Sequence, residues 1–209
     1  MTKLNLLVLL LVLMTSVGYT QTVTIGTQVW STKNLDVTTF RNGDFIPQAK
    51  TDEEWQKSGK NHQPAWCYYD NDSKNGDKYG KLYNWYALND PRGIAPMGWH
   101  IPTDSGWTTL IDFLGAQEIA GSKMKSNQGW FENGNGNNSS GFSGLPGGYR
   151  YANGMFINID KFGGWWSSST DTEEGAAIAW CRRLAYNYSV VYRSFLNKDA
   201  GLSVRCLRD

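Results

Sequence analysis

The chain is poor in the residues from which metal and nucleophilic sites are usually built. It has two histidines, His62 and His100, and three cysteines, Cys67, Cys181 and Cys206. No Cys-x-x-Cys or Cys/His spacing occurs, so no structural zinc site is expected. Charge of either sign is not in excess: 20 basic residues face 19 acidic ones. A chain so balanced has no electrostatic reason to seek nucleic acid or anionic lipid. Beyond residue 20 no apolar run approaches the roughly twenty residues a membrane-spanning helix needs.

The one apolar run is N-terminal. Lys3 precedes Leu4 to Met14, and Ser16, Gly18 and Thr20 follow as small or short residues. This order reads as a secretory signal peptide over residues 1–20. The remaining residues, 21–209, suit one exported domain, extracellular, at the cell surface or periplasmic. An exported chain permits a disulfide, and three thiols allow one pair with one left over.

What is abundant is ring and glycine: ten Trp, eleven Tyr and 23 Gly. Large rings fill a core between irregular segments, and glycines supply turns. The composition is loop-rich α+β. Residues 22–40 read as one or two strands. Thr51 and Glu54 have capping-box spacing and begin a short helix ended by Gly59. Tyr79, Leu82, Tyr83 and Tyr86 follow helical spacing and predict a second helix, stopped by Asn89, Asp90, Pro91 and Gly93. Residues 126–154 form a long Gly/Asn-rich loop whose rings fold back on the core. MFINI, WWSSS, IAWCRRL, SVVYRSF and SVRCL then read as antiparallel strands.

GWHIPTDSGWTTLIDFLG places His100 four residues from Asp104. An acid–base pair is one reading. The other is a packed corner: Pro102 extends Ile101, Thr103 caps a helix, and Asp104 faces its positive end. Trp107, Leu110, Ile111 and Leu114 then recur at helical spacing, with Gly115 as the stop. Every residue has a structural reason, so the corner is preferred. The serines of WWSSST lack a base within predicted reach. DNDSKNGD, residues 70–77, is oxygen-rich, but an EF-hand loop starting at Asp70 would have Asn75 at position six and Lys81 at position twelve. It reads as a polar turn. No metal, cofactor or catalytic residue is expected.

AYNYSVVYRSFLNKD has a different character. Tyr186, Asn187, Tyr188, Tyr192, Arg193, Asn197 and Lys198 combine rigid rings with adaptable hydrogen-bonding groups. With Trp166 they form the candidate binding set; inward-facing strand tyrosines are the alternative.

WCYYDND, KYGKLYNWYALND, APMGWHIPTDSGW, SGFSGLPGGYR, WWSSS and GLSVRCLRD occur in that order. The set resembles the Fibrobacter succinogenes major paralogous domain family of secreted bacterial proteins over nearly all of residues 21–209. That family is more remotely similar to the C-type-lectin-like fold of the formylglycine-generating enzyme group. The resemblance implies two helices beside a largely antiparallel sheet, neighbouring N- and C-terminal strands, and long loops on one face. Two positions depart from the pattern. Gly106 stands where relatives carry Glu, removing half of a capping box. Ala95 stands where many carry Cys, so the resemblance implies another partner for Cys206: Cys67, with Cys181–Cys206 as the rival. The copper-binding cysteine pair of the enzyme cousins has no counterpart, and the sugar signatures of calcium-dependent lectins are absent. The expected role is non-catalytic binding of a glycan or a surface protein. The alternatives are a structural adhesin module without a small ligand, or an oxidase of the formylglycine-generating type.

Overall fold

A computed structural model describes residues 21–170 and 177–209. The signal peptide expected over residues 1–20 lies outside the described residues. The chain is α+β, with antiparallel ladders between all paired strands. It opens with a hairpin, β1 (Thr22–Ile25) and β2 (Gln28–Ser31). Helix α1 (Asp52–Lys60) follows with the expected capping box: Glu54 N–H donates to Thr51 Oγ1, and the Glu54 carboxylate accepts from Thr51 N–H.

The helix expected around Tyr79 to Leu88 is instead three elements. α2 (Ser73–Tyr79) ends at Gly80, whose φ is +75°. β4 (Leu82–Tyr83) pairs with β3 (Trp66–Cys67). A single turn, α3 (Trp85–Leu88), is capped by Asn84. The reason is burial: Tyr79, Leu82, Tyr83, Trp85 and Leu88 are all enclosed. A segment covered on every side carries no periodicity that distinguishes helix from strand.

β5 (Trp99–His100) leads into α4 (Asp104–Phe113), where Thr103 Oγ1 accepts from Gly106 N–H at 3.1 Å. Trp107, Leu110 and Ile111 face the core as the spacing predicts. α5 (Gln117–Met124) has no counterpart among the expected elements. β6 (Gly147–Arg150) and β7 (Phe156–Ile159) form a ribbon. β8 (Phe162–Thr170), β9 (Ile178–Ala185) and β10 (Val191–Asn197) form a meander with β10 at an edge, and β11 (Leu207–Arg208) closes the chain. β11 inserts between β2 and β5, so the two ends of the domain are neighbours as expected. Instead of two helices beside one sheet, the described residues form five α-helices and four small sheets.

Two ring clusters dominate the interior. Trp30, Trp107, Phe142 and Trp165 pack together, with Trp30 and Trp107 centroids 4.7 Å apart. Tyr83, Trp85, Trp99 and Trp166 anchor the other. Three arginines are also buried: Arg150, Arg182 and Arg205. Arg205 donates to Asn34 Oδ1 and to the carbonyls of Ser31, Phe142 and Ser143. A buried guanidinium is tolerable only when its donors are satisfied in this way.

The cysteines correct the expected pairing. No disulfide joins Cys67, Cys181 and Cys206, and all three are buried. Cys67 packs with Trp55, Tyr69 and Leu82, whereas Cys206 lies in the cluster around Tyr83 and Trp166. Cys181 shares that second cluster but is not bonded to Cys206, so the rival pairing is absent too. Burial pushes the thiols of Cys67 and Cys181 up to about 12. Thiolates are the reactive form, so these groups behave as small apolar fillers. A thiol reagent should leave all three untouched in the native protein and modify three after unfolding without reductant. A single modified thiol in the unfolded state would restore the bridge.

Candidate functional site

The His100–Asp104 pair does not form. His100 Nδ1 lies 2.7 Å from Asp209 Oδ1 at the surface, with both side chains about half exposed. Asp104 faces away, toward Arg182 and Arg193. Ser168 Oγ donates to Ile101 O, and Ser169 Oγ accepts from Asp104 N–H, so these serines tie β8 to the start of α4. Residues 70–77 form a tight turn and the start of α2, and Asp72 caps that helix through Lys74 N–H. The His100 contact is a solvent-exposed hydrogen bond. Replacing His100 with Ala should change unfolding free energy by less than about 1 kcal/mol in a denaturant titration.

The expected binding residues divide. Trp166 is fully buried and donates its Nε1–H to Tyr83 O at 2.8 Å, so it is core and leaves the binding set. Lys198 is partly covered, with its ammonium 4.5 Å above the Trp85 ring, and burial lowers its pKa. Asn197 borders a small apolar recess beside Tyr151 and Phe195. Tyr188 and Tyr192 are exposed and meet edge to face at 6.1 Å.

Tyr186, Asn187 and Tyr188 converge at the β9–β10 turn. With Ser189 they form one wall of an open pocket of about 390 Å³. Glu132, Asn133 and Asn135 form the other. The two walls are held together from below. Lys125 is almost completely buried, and its Nζ donates to the carbonyls of Gly134, Ala185, Tyr186 and Tyr188 at 2.7–3.2 Å. Burial pushes its pKa below the ordinary lysine value, and the four carbonyl dipoles offset that desolvation. The loop can approach so closely because residue 134 is glycine. A Cβ there would sit 2.2 Å from Tyr186 O. Glu132 and Asn133 adopt left-handed backbone, which turns the loop toward the pocket. Phe131 packs edge-on against Tyr186 at 5.4 Å, bracing the second wall.

Glu132, Asn133, Asn135 and Lys125 are absent from the expected set. The alternating Asn and Gly of residues 133–136 marked a loop, but nothing local indicated which distant turn it would meet. The pocket surface is amide, hydroxyl and ring, with one carboxylate at Glu132 and the ammonium of Lys125 turned inward.

The family model for the Fibrobacter succinogenes major domain matches residues 23–208. The chain belongs to this family. The match spans every described strand and helix apart from the first residue of β1. No curated protein matches the chain, and no solved structure does. In this member of the family, Lys125 joins both walls of the pocket. Lys125→Met would remove the ammonium that four carbonyls share and should lower stability by about 2–4 kcal/mol, measured by denaturant unfolding. A loss below about 0.5 kcal/mol would mean that the ammonium does not hold the walls together.

Proposed function

We propose that this chain is an exported, non-catalytic binding module, and that the pocket at the β9–β10 turn takes a glycan. The observation that carries this reading is the convergence of Tyr186, Asn187, Tyr188 and Ser189 with Glu132, Asn133 and Asn135 around one open pocket. Amides and hydroxyls can donate to and accept from sugar hydroxyls, and tyrosine rings offer flat apolar faces to the ring carbons. Rigid rings beside adaptable polar groups give contact area at low entropic cost. A binding role, rather than a catalytic one, is supported by the histidines. His100 pairs with Asp209 on an open surface, and His62 stacks on Tyr86 at 5.0 Å. Neither lines the pocket. The N-terminal signal-like segment supports export.

A glycan array probed with the mature chain should give signals that fall about tenfold, or about 1.4 kcal/mol, in Tyr188→Ala and in Asn187→Ala. Both residues are exposed, so the fold survives the change. Unchanged signals in both variants would remove the pocket from the account.

A further inference from the structure

One face of the β9–β10 ladder carries a second arrangement, distinct from the pocket, at the end where Arg193 and Phe195 are exposed. Across that ladder Arg193 stands opposite Arg182, and Phe195 opposite Trp180, which places all four side chains on one face. Asp104 sits between the two arginines. Its Oδ1 accepts from Arg182 Nη1 at 2.7 Å, and both its oxygens accept from Arg193 Nε at 3.1–3.2 Å. The Arg193 guanidinium also lies 3.4 Å over the Trp180 ring, and Phe195 meets that ring edge-on at 5.9 Å.

Arg193 is therefore held at one edge by a carboxylate and on one face by an indole. Its Nη1 and Nη2 have no partner among the described residues, and its side chain is 47% exposed. Those two atoms present parallel donors that match the two oxygens of a carboxylate. The charge is also unbalanced. Arg182 is buried, and among the described residues Asp104 is the one carboxylate paired with it. Asp104 offsets that buried positive charge. Arg193 adds a second positive charge to the same single anion, in a chain otherwise close to neutral.

We propose that Arg193 is a carboxylate anchor, and that the glycan bound by this module is acidic, with a uronic acid unit held by the two Nη groups and its ring against Phe195. This rests on the glycan reading of the pocket and adds the chemical class of the sugar. A tetrahedral phosphate fits less well, because Asp104 occupies the Nε side and would repel a dianion.

The test is calorimetry with galacturonate and glucuronate trisaccharides and their methyl esters, at low and high salt. The proteins are wild type, Arg193→Met and Tyr188→Ala. Methionine retains an apolar stem over Trp180 and leaves Asp104 with Arg182. Wild type should bind at least one acid about tenfold more tightly than its ester, and salt should weaken that preference. Arg193→Met should bring the acid down to the ester. Tyr188→Ala should weaken acid and ester by the same factor. Equal binding of acid and ester by wild type, a preference that survives in Arg193→Met, or no binding of either at millimolar concentration would overturn the anchor. Loss of preference in Arg193→Met, with Tyr188→Ala binding as wild type, would uphold the anchor and remove the pocket.

Discussion

One extended segment near the C-terminus hydrogen-bonds into all four sheets, and the rest of the fold depends on it. Gly201 exchanges backbone hydrogen bonds with Arg150 of β6, and Leu202 does so with Tyr83 of β4. Trp166 of β8 donates to Ser203 O, and Leu35 donates to Val204 O. Ser31 donates to Cys206 O, and Leu207 pairs with both Trp30 and His100. Two of these sheets are single ribbons of two strands, too small to stand alone. The segment supplies what each lacks, a backbone partner inside the core. Arg205 adds a side-chain tie from the same segment to residues 31, 34, 142 and 143.

That arrangement explains why recognition is assigned to β10 and its turn. β8 is fixed to the segment through Ser203, and β9 is fixed to β8 along most of its length. β10 is the edge strand, and its outer residues Tyr192, Arg193, Phe195 and Asn197 are exposed. The chain thus offers rings and donors on a rigid support, which keeps low the entropy lost when a ligand orders them. Lys125 extends the same logic to the loop, tying Gly134 to the turn. Asp104, legible in the sequence as a carboxylate at the positive end of a helix, also aligns Arg193 from 89 residues away.

Local signals were readable where one face of an element meets water. The Thr51 capping box, the Thr103 cap and the Trp107, Leu110, Ile111 stripe all have an exposed side against which periodicity shows. The signal failed where a segment is enclosed, as between Tyr79 and Leu88. Nothing in WWSSS distinguishes an inward Trp from an outward one, and both Trp165 and Trp166 are buried. The three buried arginines were invisible for a related reason. Their partners are mostly backbone carbonyls of distant segments, and a carbonyl has no residue type. Export permits a bridge without requiring one, and no two of the cysteines are bonded across the core. The turn residues Tyr186 to Tyr188 were found because exposed rings beside Asn stand out in composition, while the facing loop could be placed only by the fold.

Native-state hydrogen exchange tests the central claim most directly. The amides of Leu35, Tyr83 and Leu202 join the C-terminal segment to two separate parts of the chain, at Leu35 and at Tyr83. If that segment holds the sheets together, these amides exchange only through global unfolding, with one common free energy equal to that from denaturant titration. Exchange of Leu35, Tyr83 and Leu202 through a smaller opening, while β8 and β9 stay protected, would contradict it.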